Sequence, residues 1–284
     1  MRSEFPTTDA IAITVPTVSV VVPTFRRTER LSQLLARLAS IERSGELEVI
    51  IVDQTPDANL QDLNRYSERF FSLLLIHQNE ANVSRARNAG ALVAGADVLL
   101  FMDDDMELMP QFISRLFDQL TKGGHVALGA NWGQSAVDGL FLATGVLALR
   151  RKIFFRAHGF DEVLFSNFED AEFSHRLKKL GISLIVDRGL RAIHHDQQRG
   201  GTWHEIPLRN ASLSYLCQTA YFWRRVDCSW WQLGWKLTRS ICSETIRPAY
   251  LKQGGKLERL LALIAALPSA IRFSWQEPRL LKDG

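Results

Sequence analysis

Three adjacent carboxylates, Asp103, Asp104 and Asp105, are the side chains of this 284-residue chain best placed to do chemistry. They follow the largely apolar segment 97–102, which is typical of a buried strand. Like charges this close raise one another's pKa unless a cation compensates, and carboxylate oxygens suit Mg²⁺ or Mn²⁺. In an extended segment Asp103 and Asp105 would face one side and Asp104 the other. The alternative is a solvated acidic turn before a helix, but the preceding strand favours a cation site.

A second acidic group, Glu169, Asp170 and Glu172, stands at the predicted start of a helix over residues 168–180. A carboxylate in a cleft can act as a general base. Acidic residues also stabilise a helix N-terminus through its dipole. The residues by themselves leave both interpretations open.

Two histidines, His194 and His195, end a short apolar segment at 191–195. Neutral imidazole is a common metal ligand. Because neighbouring residues of an extended segment point to opposite sides, at most one of the two should enter a site.

These acidic residues and histidines must be positioned by strands and helices, which are predicted to alternate along the first half of the chain. The predicted strands are 18–23, 47–52, 72–76 and 97–102, and the predicted helices are 28–43, 59–69, 85–94 and 110–124. Thr28 is the expected cap of the first helix, and Asn82 or Ser84 that of the third. Such alternation indicates right-handed βαβ units around a largely parallel sheet, with ligands beyond the carboxyl ends of the strands. Residues 24–27, Asp53 and the acidic cluster all fall at those ends.

The second half of the chain follows a different pattern. Strands are predicted at 126–130, 143–149, 183–187 and 191–195, with a short helix at 150–158, and helices dominate from about residue 205.

Four segments in this order resemble the family 2 glycosyltransferases, which have the GT-A fold. They are VSVVVPTFRR at 18–27, VIIVD at 49–53, VSRARNAG at 83–90 and LLFMDDD at 99–105. The likeness covers residues 18–196, and the ordered combination is specific although each segment alone is weak. It implies an α/β fold with a Rossmann-like, mostly parallel sheet flanked by helices and a C-terminal helical extension. It also implies an inverting glycosyltransferase that uses Mg²⁺ or Mn²⁺ and a nucleotide-sugar donor, most often a UDP-sugar.

The resemblance also assigns roles to single residues. The residues implied to bind the nucleotide-sugar are Pro23, Thr24, Arg26, Asp53, Arg85, Asn88, Asp103 and Asp104. Those implied to bind the metal are Asp103, Asp105 and His194, with His195 in reserve. Asp170 is the implied base that takes the proton of the acceptor hydroxyl.

Two departures from the family pattern leave the nucleotide base open. The usual Asp-Asp-Gly-Ser is here Asp-Gln-Thr-Pro at 53–56, and Asn82-Val83 replaces a frequent glycine. UDP, dTDP and GDP donors therefore all remain candidates. Asn82 could simply cap a helix, and Arg85 and Arg87 could be surface charges.

Composition limits the class of protein. The chain is 46% hydrophobic and 23% charged, as expected of a folded protein, and its three cysteines fit a reducing cytoplasm. It has no G-x-G-x-x-G after the first strand, which argues against a Rossmann dehydrogenase, and no recognised nucleic-acid motif. No export signal or membrane-spanning segment is expected.

The region after residue 198 carries 13 Lys and Arg against six Asp and Glu, while the whole chain has a net charge of +3. It also holds six of the seven tryptophans: Trp203, Trp223, Trp230, Trp231, Trp235 and Trp275. Basic residues mixed with Trp suit an anionic membrane or glycan surface. The alternative is that the tryptophans pack a helical subdomain. We therefore expect a cytoplasmic protein, with a peripheral position on the inner face of the cytoplasmic membrane as the alternative.

The predicted organisation has four parts. They are an N-terminal extension at 1–17, a nucleotide-sugar-binding half at 18–105, an acceptor and catalytic half at 106–200, and a helical region at 201–284. The partners expected are a nucleotide-sugar and a glycan or lipid-linked acceptor of surface polysaccharide or glycolipid synthesis, and not nucleic acid. The rival functions are a sugar-nucleotide-metabolising nucleotidyltransferase and a non-catalytic glycan- or membrane-binding protein.

Overall fold

The computed structural model describes residues 16–56, 60–122, 126–131, 141–195, 208–226, 228–246 and 255–282. Several parts of the predictions lie outside these ranges: residues 1–15 of the predicted N-terminal extension, Asp196 and Trp203.

The described strands form one mixed sheet. They are β1 (Val18–Thr24), β2 (Leu47–Asp53), β3 (Ser72–His77), β4 (Val98–Met102), β5 (Met106–Leu108), β6 (Val126–Asn131), β7 (Val146–Arg150) and β8 (Ser183–His194). Their order is β3-β2-β1-β4-β7-β6-β8-β5. The strands β3, β2, β1 and β4 are parallel, which confirms the predicted βαβ half, whereas β7 pairs antiparallel with both β4 and β6. The sheet therefore continues across the predicted boundary at residue 105.

The described helices cover both faces of the sheet and build a C-terminal bundle. They are α1 (Thr28–Leu38), α2 (Val83–Val93), α3 (Phe112–Lys122), α4 (Arg151–Arg156), α5 (Glu169–Lys179), α6 (Leu208–Arg225), α7 (Trp230–Ile246) and α8 (Lys256–Phe273). Every residue of β1 is buried, as expected of a strand covered on both faces. Val20 and Val22 pack in the core with α1 and α3, and Val21 packs in the core with α2, α4 and α5.

Some local predictions are wrong in detail. The first helix begins at Thr28 rather than being capped by it, and its N-cap residue Arg27 makes no side-chain capping bond. The segment predicted as a helix at 59–69 is a 3-10 helix, Gln61–Arg69. The two extended segments predicted at 183–187 and 191–195 are one strand, β8, whose irregular register near Ala130 and Asn131 of β6 explains the apparent break.

The C-terminal bundle is joined to the sheet domain by a buried polar contact. Helices α6, α7 and α8 share a core that includes Leu216, Leu237 and Leu263. The buried Tyr221 hydroxyl of α6 donates to Asp161 at 2.5 Å, and the backbone N–H of Arg279 donates to the same carboxylate at 2.9 Å. Among the described helices, none combines the length and the apolar character that a membrane span requires.

Candidate active site

The acidic cluster forms a turn at the end of β4, so the prediction that it is extended is wrong. Asp103 donates its backbone N–H to the Gly145 carbonyl at 3.0 Å, and its own carbonyl accepts from Met106 at 3.2 Å. Because the chain turns here, alternate residues do not share one side. Arg27 contacts both Asp104 and Asp105, at 2.7 and 3.5 Å.

Asp104 anchors the turn to β1. Its buried carboxylate accepts hydrogen bonds from the Thr24 hydroxyl at 2.8 Å and from Arg27 at 2.7 Å. Burial raises the pKa of Asp104, although Arg27 and Thr24 act in the opposite direction. Thr24 and Asp104, both expected to contact the nucleotide, therefore hold each other at the end of β1.

Asp105 faces His194 because β5 pairs with β8. Met106 lies opposite His194 in this antiparallel pairing, and the imidazole Nε2 is 3.3 Å from Asp105 Oδ1. His195 instead places its Nε2 2.6 Å from Glu107. Burial alone would raise the pKa of Asp105, but His194, Arg27 and Arg30 lower it below its ordinary value.

Arg87 connects the acidic turn with the second acidic group. Its guanidinium is buried and donates to Asp103 at 2.8 Å and to Glu169 at 2.9 Å. The sequence did not decide whether Arg87 is a surface charge or a functional residue. Gly90, one turn further along α2, indicates only that this face packs closely on the sheet, because a Cβ there would overlap a Val21 methyl carbon. No local signal reports the two carboxylates that Arg87 contacts.

Asp170 lies beside this connection at the start of α5. Its Oδ1 accepts from the Ala171 N–H at 2.7 Å. Burial, and next the charge of Glu169, raise the pKa of Asp170 to about 7, while Arg87 lowers it. A carboxylate with a pKa near neutrality suits a general base.

Helix α6 holds the backbone that precedes Asp170, which the sequence did not reveal. The buried Gln218 side-chain oxygen accepts from the N–H groups of Ser166 and Asn167, both at 3.1 Å. Phe168 has a left-handed backbone with φ of 67°, which costs about 1–3 kcal/mol in a non-glycine residue. Its ring stacks on Phe222 of α6 at 5.1 Å. The C-terminal bundle thereby stabilises the entry into α5.

Arg85 and Asn88 have other partners. Arg85 contacts Glu80 at 2.7 Å and Glu162 at 3.2 Å. The buried Asn88 exchanges two hydrogen bonds with the backbone of Phe160, at 2.9 and 2.8 Å. The arginine that contacts the acidic turn from α2 is Arg87. Asn82 caps α2 by accepting from the Arg85 N–H at 3.0 Å, which confirms one of the two predicted caps.

The nucleotide end of the predicted site lies at the carboxyl ends of β1 and β2. Pro23 is buried within β1 opposite Val52, and Arg26 is exposed just beyond the strand. Asp53 is buried, and its Oδ1 accepts from the Thr55 hydroxyl at 2.7 Å. Its Oδ2 has no hydrogen-bond partner among the described residues. The Nδ1 of His77 lies 3.9 Å from this oxygen, beyond hydrogen-bond distance. An unpaired buried acceptor costs about 1–3 kcal/mol.

Two of the three predicted metal ligands come together. In the described ranges, no group of three His, Cys, Asp or Glu side chains is arranged to hold a cation. Asp105 and His194 are adjacent, while Asp103 pairs with Arg87. A divalent cation in a phosphate-binding site commonly has one or two protein ligands, with phosphate and water oxygens completing its shell. The Asp105–His194 pair fits such a cation.

Sequence comparison identifies the family. The profile of the family described as Glycosyl transferase family 2 matches residues 19–161, which is half of the chain. The chain belongs to this family. The match begins in β1 and ends at Asp161, so it contains the acidic turn, Arg87 and Asp53 but not Asp170 or His194.

Several curated proteins are similar to this chain over part of their length. A dolichol-phosphate mannosyltransferase of Pyrococcus furiosus is 27% identical over 116 residues, 40% of this chain and 33% of that protein. The succinoglycan biosynthesis protein ExoM of Rhizobium meliloti is 30% identical over 127 residues, 42% of this chain and 41% of that protein. The matched segments thus span well under half of these relatives.

Solved structures confirm the GT-A fold. The chain superposes on the mannosyltransferase PcManGT of Pyrobaculum calidifontis, in complex with GDP-Man and Mn²⁺, with a TM-score of 0.61 at 15% identity, covering 91% of this chain and 76% of that one. It superposes on residues 1–349 of S. aureus TarS, in complex with UDP-GlcNAc, with a TM-score of 0.65 at 18% identity, covering 91% and 81%.

Proposed function

We propose that this glycosyltransferase family 2 chain moves a sugar, with inversion, from a nucleotide-sugar donor to an acceptor hydroxyl in a metal-dependent reaction. The observation that carries the proposal is the buried Arg87 bridge, which joins the acidic turn at Asp103 to Glu169, the neighbour of Asp170. Through these two ion pairs, Arg87 connects the proposed donor-binding end of the site with the candidate base, at the same edge of the sheet.

The donor would enter with its base toward Asp53. The Oδ2 of this buried carboxylate makes no hydrogen bond among the described residues and would accept an N–H from the base, and uracil, thymine and guanine each have a ring N–H to donate. This chemistry supports UDP-, dTDP- and GDP-sugars, of which we favour UDP-sugars. The solved neighbours that contain GDP-Man and UDP-GlcNAc agree with this set.

The diphosphate would lie against Asp105 and His194. These residues would hold Mg²⁺ or Mn²⁺, whose chemistry is to neutralise the charge that develops on the departing diphosphate. Arg27 and Arg30 lie near Asp105 and add positive charge at the same end of the site. Asp103 would remain oriented by Arg87.

Asp170 would take the proton of the acceptor hydroxyl as its oxygen attacks the anomeric carbon. One displacement, with a carboxylate opposite the leaving group, inverts the anomeric configuration. The raised pKa of Asp170 suits this role, because the carboxylate and the carboxylic acid then coexist near neutral pH.

We propose a glycan or lipid-linked acceptor in the synthesis of a surface polysaccharide or glycolipid. The relatives named for dolichol-phosphate and succinoglycan chemistry support this class. A lipid-linked acceptor would require the protein to reach a membrane surface.

The test is donor turnover by the purified chain. UDP-, dTDP- and GDP-sugars are incubated with Mn²⁺, with Mg²⁺ or with EDTA, and the nucleotide product is identified by chromatography. We expect metal-dependent release of a nucleoside diphosphate. When acceptor is supplied, the Asp170→Asn variant should lose this release. Release of pyrophosphate would indicate a nucleotidyltransferase instead. If the chain binds a donor but shows no turnover with any acceptor that is supplied, a non-catalytic role is favoured.

A further inference from the structure

Helix α8 has two apolar stripes, and among the described residues only one of them is used in packing. Leu263, Ala266 and Ala270 are buried against the rest of the bundle. The opposite side carries Leu257, Leu261, Ile264 and Ile271, which are 45–67% exposed and recur at helical spacing. We call these four residues, with the exposed Pro268 between them, the outer face of α8.

The outer face is long enough to be an interaction surface. The 18 residues of α8 extend about 27 Å at about 1.5 Å per residue. Single exposed apolar side chains are ordinary, but a contiguous apolar stripe marks a site of contact with a protein or a membrane. A helix that needed only to pack on α6 and α7 would carry polar residues here.

The charges around this stripe indicate which contact it makes. Lys256 and Arg272 lie at its two ends, and the exposed Arg239 lies on the neighbouring α7. The exposed Glu258 of the first turn caps the helix by accepting from the Gly255 N–H at 2.7 Å. Trp231 and Trp235 of α7, one turn apart, are 90% and 67% exposed. Tryptophan together with Lys and Arg is the combination found where a helix lies at the boundary between lipid headgroups and acyl chains.

We infer that the outer face of α8 docks on the surface of a bilayer containing anionic phospholipids, with α8 lying in the plane of the membrane. The apolar stripe would enter the acyl boundary, and the cations at its ends would contact the headgroup phosphates. This inference concerns binding alone, so its success or failure is independent of the proposed sugar transfer.

Vesicle co-sedimentation tests the inference. The full chain is mixed with vesicles of phosphatidylcholine alone and of phosphatidylcholine with phosphatidylglycerol. We expect binding to the anionic vesicles that weakens as salt is added. The double variant Leu261→Glu/Ile264→Glu should bind about a hundredfold more weakly, since each lost apolar contact is worth at least about tenfold, or about 1.4 kcal/mol.

The matched control is Leu92→Glu/Val93→Glu, which changes two comparably exposed apolar residues at the end of α2. It should bind vesicles as the unmodified chain does. Circular dichroism and metal-dependent donor hydrolysis confirm that each variant is folded and that its site is intact.

Three results would overturn the inference. The unmodified chain could fail to bind anionic vesicles, or the α8 variant could bind them as well as the control does. Light scattering could also reveal a dimer that the α8 variant dissociates, in which case the outer face contacts a second copy of the chain.

Discussion

Replacing Asp170 by Asn should make the protein more stable at alkaline pH while removing its activity. The pKa of Asp170 is raised from 3.8 to about 7, first by burial and then by the charge of Glu169. That difference corresponds to about 4 kcal/mol at about 1.4 kcal/mol per pH unit. Because Asp170 is only half-buried, solvent screening reduces the expected gain to about 2–4 kcal/mol.

The direction of the pH dependence follows from the two pKa values. Below pH 3.8 the carboxyl group is protonated in both the folded and the unfolded chain, so Asp and Asn are equivalent. As the pH rises toward 7, the unfolded chain ionises freely and the folded chain does not, so the unmodified protein progressively loses stability. The advantage of Asn should therefore grow up to about pH 7 and stay constant above it.

Urea unfolding at pH 5 and at pH 8 measures this advantage. The matched control is Glu80→Gln, because Glu80 is an exposed carboxylate that pairs with Arg85. We expect a change within about 0.5 kcal/mol for it at either pH. Sugar transfer by Asp170→Asn should fall about 10²- to 10⁴-fold, as for loss of a general base. An advantage of Asn that is absent at pH 8, or equal at pH 5 and pH 8, would refute the assigned environment of Asp170.

Four further substitutions test the contacts around the site. Arg87→Lys keeps the charge but cannot form both ion pairs, and should lower the free energy of unfolding by about 1–3 kcal/mol in urea titrations; an unchanged midpoint would exclude the bridge. Asp105→Asn should reduce Mn²⁺-stimulated donor turnover about 10²- to 10³-fold, whereas equal stimulation would remove Asp105 from the cation site. Tyr221→Phe removes the hydroxyl that donates to the buried Asp161 carboxylate, and calorimetry should show a loss of about 1.5–3 kcal/mol of stability; unchanged stability would show that this bond does not help to hold the bundle on the sheet domain. Gln218→Leu should lower kcat more than it changes KM, because it removes the oxygen that accepts from Ser166 and Asn167; equal rates in the variant and the unmodified chain would show that Gln218 does not position α5.

The sequence predicted the sheet half of the fold well because its signals are local. Apolar runs of strand length mark β1, β2 and β4, and a polar residue at the end of each run marks the edge where ligands bind. The start of α5 and the capping of α2 by Asn82 also depend on residues a few positions apart. Alternation along the strand also predicted that only one of His194 and His195 would approach the acidic cluster.

Long-range contacts decided the rest. Arg87 meets Glu169 across 82 positions, and Tyr221 meets Asp161 across 60, so no local pattern could report either pair. The direction of Asp104 followed from a turn that the bond to Gly145 stabilises, not from strand alternation. By itself the sequence determined which residues stand at the ends of strands and helices, because periodicity and capping act over a few residues. Only the tertiary structure determined which of those residues meet, because burial and ion pairing depend on how the elements pack.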